Sequence, residues 1–240
     1  MNSNEKNEKD FLKQPIDRLG FFKMSGVALA TTAVILSGCK KETAEPITTP
    51  TPSPSNNAVD LGSGDTGVLN YAYALEQLEA AFYTQVMATP FTGMTAAEIQ
   101  ILGDLKLHEI AHREFLKAAL GASAIIALTP NFSSIDFTNR ASVLGTAKAF
   151  EDLGVAAYNG AGKLLTDPNN LLLAGKIVSV EARHASVIRD LLNPSSADFA
   201  GDDVVTVSQG LDGAKTPAEV LTIAGTYITN TLDASHLPTT

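Results

Sequence analysis

Two Glu-x-x-His motifs and two single glutamates have the residue types and the spacing of a metal site. Each motif follows one of the single glutamates by about thirty residues. In chain order, the six residues are Glu76, Glu109, His112, Glu151, Glu181 and His184. A spacing of three places the glutamate and histidine of a motif side by side on a helix, so both can reach one metal ion. The single cysteine among 240 residues excludes a cysteine-based zinc or iron–sulfur site within one chain.

These residues fall where core residues belong. Each continues an apolar row along its segment, as Glu109 does after Leu102 and Leu105. Four uncompensated carboxylates inside a bundle would cost several kcal/mol each, so protons or cations must accompany them. Two divalent cations balance four carboxylates when the imidazoles are neutral. Oxygen and nitrogen ligands of this kind suit iron or manganese.

Four long segments with a 3.6-residue period of apolar residues predict an all-α domain. The expected helices cover about 65–88, 96–120, 140–165 and 168–193, with a shorter fifth helix at about 217–232. Capping boxes that begin at Thr95 and Thr216 mark the starts of the second and fifth helices. Short turns form two hairpins, and about 19 residues, from Gly121 to Asn139, separate them. Two hairpins joined by one long crossover form a ferritin-like four-helix bundle.

Residues 65–193 resemble the ferritin-like superfamily of di-iron carboxylate proteins. More narrowly, they are similar to exported bacterial ferritin-like domain proteins related to desiccation-related proteins. The sequences EDLGVAAY at 151–158 and EARHA at 181–185 carry the resemblance, and 216–221 is similar to that family's C-terminal extension.

The resemblance implies a role for each of the six residues and two bound iron ions, with manganese as the alternative. It implies Glu109 and Glu181 as bridging carboxylates, Glu76 and Glu151 as terminal carboxylates, and His112 and His184 as imidazole ligands. It implies no catalytic residue beyond these metal ligands.

An internal repeat bears on the residues around the site. The segment 75–83 matches 150–158, and in both a tyrosine follows the glutamate by seven residues, as Tyr83 and Tyr158. Glu79 could replace Glu76 as a ligand, but the residue at its repeat position is Gly154. Because only Glu76 is repeated, as Glu151, we expect Glu76 to be the ligand and Glu79 to lie beside the ligands. Both tyrosines either hydrogen-bond the carboxylates or fill the core with the hydroxyl at its rim.

His108 raises a remote alternative, because residues 108–112 form the H-E-x-x-H motif of zinc metalloproteases. Such an enzyme also needs a third ligand. The metzincin continuation would place glycine and histidine where Phe115 and Ala118 stand. The motif therefore favours the dinuclear site over a protease.

The N-terminal region has the pattern of a lipoprotein export signal over residues 1–38. Basic residues precede the apolar stretch 24–36, and LSGC at 36–39 resembles a lipobox, which predicts lipidation and a membrane anchor at Cys39. The segment 18–23 (RLGFFK) resembles a twin-arginine motif with leucine in the second position, so either export route stays open. A Pro/Thr/Ser-rich tether over 39–64 leads to the bundle at 65–193 and a C-terminal extension at 194–240.

The net charge of −9 argues against nucleic acid as a partner. The sequence thus predicts a lipid-anchored protein of the bacterial cell envelope with a dinuclear centre. The favoured prediction for its function is a ferroxidase or a peroxide-consuming oxidoreductase that acts on oxygen or peroxide. The alternative is a non-catalytic envelope protein that binds metal or a partner. Whether the protein forms a homo-oligomer stays an open question, because the apolar crossover 122–128 suits either a cap on the bundle or a subunit interface.

Overall fold

The computed structural model describes residues 58–239 and confirms the all-α class. The predicted signal at 1–38, Cys39 and most of the tether lie outside the described residues. The five α-helices are α1 (Gly64–Ala88), α2 (Ala96–Leu120), α3 (Arg140–Gly162), α4 (Pro168–Leu192) and α5 (Pro217–Ala224). Two short parallel strands, β1 (Val59–Asp60) and β2 (Leu232–Asp233), were not predicted. Within the described residues, no helix has both the length and the apolar character needed to cross a bilayer.

The helices α1 and α2 form one hairpin and α3 and α4 form the other. Side-chain caps begin α2, α3 and α4, and the capping box of α2 is the one that the sequence predicts. Thr95 and Glu98 form a reciprocal capping box, Asn139 caps α3, and Asp167 caps α4 ahead of Pro168. Such caps satisfy backbone N–H groups that the first turn of a helix leaves free.

Two polar clamps join the hairpins at opposite ends of the bundle. At one end, Arg140 Nε of α3 donates to Glu98 Oε1 of α2 at 2.6 Å. At the other end, the carboxylate of Asp65 in α1 accepts hydrogen bonds from the backbone N–H groups of Thr166 and Asp167. These clamps fix how far the hairpins slide along each other, and the alignment of the metal-site residues depends on that register.

The crossover covers the side of α1. The backbone N–H of Ile125 donates to Asn70 Oδ1, and that of Leu128 donates to Gln77 Oε1. The side chains of Ile125 and Leu128 pack against the core, whereas Ile126 is exposed. Part of the apolar crossover, through Ile125 and Leu128, therefore covers the bundle.

The folded region differs from the prediction at both ends. Residues 58–64 of the predicted tether belong to the fold, because Leu61 is fully buried and its carbonyl accepts a hydrogen bond from Asn70 Nδ2. The helix α5 ends at Ala224 rather than near residue 232. Gly225 has low helix propensity and β-branched residues follow it, so the chain tightens into a 3₁₀ turn and then extends.

One buried arginine helps to hold the C-terminal extension on the second hairpin. Arg189 of α4 donates to both carboxylate oxygens of Asp152 in α3 and to those of Asp203 in the extension. Paired bonds of this kind hold the guanidinium in one orientation.

Candidate metal centre

All six predicted residues meet at mid-length in the bundle. The side chains of Glu76, Glu109, Glu151 and Glu181 are 0% exposed, and His184 is also buried. His112 is the most accessible, with 14% of its side chain exposed. Each of the four bundle helices, α1 to α4, contributes at least one of them, so the site forms only when both hairpins are in place.

The first group of donor atoms surrounds the Nδ1 atom of His112. That atom lies 2.9 Å from Glu181 Oε1, 3.4 Å from Glu76 Oε2 and 3.5 Å from Glu109 Oε2. The four residues each offer a ligand atom within 4.8 Å of the others. Three come from the first hairpin, and Glu181 comes from the second.

The second group surrounds the Nδ1 atom of His184 in the same way. That atom lies 2.7 Å from Glu109 Oε1, 3.4 Å from Glu151 Oε2 and 3.6 Å from Glu181 Oε2. Its four ligand atoms also lie within 4.8 Å of one another. Here Glu109 is the member that crosses from the first hairpin.

Glu109 and Glu181 belong to both groups, and each directs one oxygen toward each imidazole. A carboxylate that bridges two ions needs this geometry. Glu76 and Glu151 each belong to one group, as terminal ligands would. The arrangement is that implied by the family resemblance, and metal binding by these six residues stays a prediction.

Two tyrosines fix the outer oxygens of the terminal carboxylates. Tyr83 of α1 donates to Glu151 Oε1 of α3 at 2.5 Å, and Tyr158 of α3 donates to Glu76 Oε1 of α1 at 2.6 Å. These bonds cross between hairpins, so each tyrosine orients the glutamate of the opposite repeat. The inner oxygens of Glu76 and Glu151 remain directed at the centre.

The donor atoms at the centre are suited to cations. Eight buried atoms of the six residues lack a hydrogen-bond partner within the described part of the chain, among them both Nδ1 atoms and all four oxygens of Glu109 and Glu181. Since buried polar atoms normally have hydrogen-bond partners, eight such atoms aimed at common points fit a site for cations. Carboxylates and imidazoles are ligands for iron, manganese and zinc.

In the metal-free protein, protons take the place of these cations. Although burial opposes it, the three carboxylates that face His184 raise the pKa of that imidazole to about 12. Burial raises the pKa of Glu151 to about 7, and burial together with Glu181 raises that of Glu109. Burial opposes the shift at Glu181, yet the two imidazoles lower its pKa to about 2.

We expect the metal-free domain to lose stability as the pH rises from 5.5 to 8. In this range, the folded state holds protons on His184 and Glu151 that the unfolded chain releases, near pH 6.5 and 4.5 respectively. A loss of about 2 kcal/mol would lower Tm by about 4–8 °C. Thermal unfolding after chelation, followed by circular dichroism, measures this. A Tm that rises over the same interval would contradict the proton assignment.

Glu79 lies beside the centre but belongs to neither donor group. It is buried among the other glutamates of the centre. A Cβ atom at Gly154 would approach Glu79 Oε1 to 3.1 Å and Glu181 Oε2 to 3.7 Å. The glycine at the repeat position of Glu79 thus leaves room for this extra carboxylate, whose pKa is raised by burial and by the neighbouring glutamates.

Replacement of Glu79 by glutamine should stabilise the metal-free domain at pH 7.5. The raised pKa of Glu79 means that its ionisation disfavours folding as the pH rises above 4.5, and glutamine removes that penalty. We expect a gain of about 1–3 kcal/mol, the usual cost of an unsatisfied buried polar group. Urea unfolding at pH 7.5 and pH 4 gives the comparison, since the gain should shrink at the lower pH. An equal gain in stability at both pH values would mean that the ionisation of Glu79 is not the cause.

His108 lies outside the donor group that contains His112. Its Nδ1 atom lies 2.9 Å from Nε2 of His184, on the outer side of that ring, and it belongs to neither donor group. A zinc protease needs both histidines of its H-E-x-x-H motif on one ion. The described residues therefore place the motif's first histidine away from the centre, which argues against the protease alternative.

A family model described as a ferritin-like domain matches residues 64–194, more than half of the chain. No curated protein matches the chain. The matched region includes all four bundle helices and all six residues of the candidate centre. On the family match, supported by the bundle and its carboxylate-histidine cluster, the chain belongs to the ferritin-like domain family.

Proposed function

We propose that this protein binds two metal ions at the candidate centre and acts as a lipid-anchored oxidoreductase of the ferroxidase or peroxide-consuming kind. The observation that carries the proposal is the pair of donor groups joined by Glu109 and Glu181. Two separate mononuclear sites would need no shared carboxylates. Iron is the favoured metal, and manganese would suit the same ligands.

Two iron ions, when bound, would supply the electrons that reduce oxygen or peroxide. The chain holds the ions at fixed positions, because both bridging carboxylates come from the middle of rigid helices. Tyr83 and Tyr158 keep the terminal carboxylates oriented through changes in charge. The buried surroundings exclude bulk water, and the partly exposed side of His112 offers a small oxidant the shortest approach.

The proposal places the domain outside the cytoplasm on a lipid anchor. It is supported by the lipobox-like sequence that ends at Cys39 and by the Pro/Thr/Ser-rich stretch that follows it. A tether of this composition keeps a domain close to a membrane without packing against it.

Oxidation of ferrous iron by the full-length chain tests the proposed chemistry. The protein is loaded with Fe(II) without oxygen, then mixed with oxygen or peroxide, and ferric iron is followed by its near-ultraviolet absorbance. We expect faster oxidation with the wild type than with Glu109→Ala, and an unchanged rate with Glu114→Ala, which removes a solvent-exposed glutamate from the same helix. Equal rates for all three proteins would favour the non-catalytic alternative.

A further inference from the structure

His108 contacts the second imidazole of the centre from outside. It directly precedes Glu109 on α2, and its Nδ1 atom lies 2.9 Å from Nε2 of His184 on α4. The two rings are nearly parallel, with an angle of 10° between their planes. His108 is thus held against the one nitrogen of His184 that does not face the carboxylates.

This contact determines how the proton is placed on His184. Its Nδ1 atom faces Glu109, Glu151 and Glu181, so a metal at the second donor group would take the lone pair of Nδ1. A neutral imidazole then carries its proton on Nε2. That N–H can donate to Nδ1 of His108, and a hydrogen bond of this kind fixes the ring orientation and makes a ligand more basic.

The first imidazole has no equivalent support. The residue that precedes Glu181 in the repeat is Val180, which cannot accept a hydrogen bond. The two donor groups match in their ligand types but differ in this outer contact.

We propose that His108 is a positioning residue that makes the two metal sites unequal, so that the site beside His184 fills first and binds more tightly. The inference rests on the proposed dinuclear centre. Outer hydrogen-bond partners of metal-binding histidines typically change affinity 10–100-fold. We therefore expect two binding steps separated by about that factor.

Titration of the metal-free full-length chain with Co(II) tests the inference without any enzyme assay. Visible absorbance reports Co(II) in each site, and competition with a chelator of known affinity gives both dissociation constants. In His108→Leu the tighter constant should weaken about 10–100-fold while the weaker one stays unchanged. Because His108 is exposed, the variant should fold, and its metal-free Tm verifies this.

Two further variants test whether the hydrogen bond from His184 to His108 causes the change in metal affinity. His108→Asn presents an amide oxygen that can accept from His184 Nε2, so it should retain most of the affinity difference. His236→Leu removes an exposed histidine near Asp60 and should change neither constant. An asparagine variant that behaves like leucine would overturn the hydrogen-bond explanation.

The results distinguish this inference from the proposed centre. Two Co(II) ions that bind the wild type with equal affinity, or a His108→Leu effect equal at both sites, would overturn the role of His108 and leave the dinuclear centre standing. A wild-type protein that binds no Co(II), or one ion only, would overturn both.

Discussion

Glu109→Ala should abolish the binding of both metal ions, not of one. Glu109 directs Oε2 to the group around His112 and Oε1 to the group around His184, so its loss removes a ligand from each. We expect both affinities to fall by more than about 100-fold, beyond the effect of an outer hydrogen-bond partner. Metal content after loading and gel filtration, measured by plasma mass spectrometry, should fall from two ions per chain to none.

Two matched variants make this result specific. Glu114→Ala changes the same residue type on an exposed side of α2 and should keep both ions. Glu151→Ala removes a carboxylate that faces His184 alone, so it should weaken mainly that site. If Glu109→Ala still retained one ion at full occupancy, Glu109 could not be a bridging ligand.

Metal loading should raise Tm by about 15–30 °C. Each donor group takes ligands from both hairpins, so a bound ion opposes their separation. A ligand present at 1,000 times its Kd adds about 4 kcal/mol, and two such sites add about 8 kcal/mol. For a domain of this size, each kcal/mol raises Tm by about 2–4 °C. Calorimetry of the loaded and chelated protein measures the shift.

The same experiment on Glu109→Ala supplies the control, because added metal should raise the Tm of that variant only slightly. Its own metal-free form is the reference, because the loss of Glu109 removes both a buried carboxylate and a partner of His184. A wild-type shift below about 3 °C at saturating metal would mean that the ions do not connect the hairpins.

Local signals explain why the helices and the six-residue cluster were predictable. The capping boxes at Thr95 and Thr216 involve residues three positions apart, and α2 and α5 begin directly after them, as the sequence predicts. The cluster follows from the i, i+3 spacing of Glu109 with His112 and from its repeat. These features depend on sequence separations within one helix or one hairpin.

The features that the sequence left open depend on contacts between distant segments. Tyr83 bonds the glutamate of the other hairpin rather than that of its own repeat. The approach of His108 to His184 requires the packing of α2 against α4, which no spacing within either helix reveals. Leu61 joined the core because β1 pairs with β2 near the other end of the chain, whereas composition alone assigned it to the tether.

The most direct test of the dinuclear centre is anomalous X-ray scattering from crystals of the protein loaded with iron or manganese. The structure predicts two peaks per chain, one beside Nδ1 of His112 and one beside Nδ1 of His184, with Glu109 and Glu181 bordering both. No peak at this position, or a single ion between His108 and His112, would contradict the account.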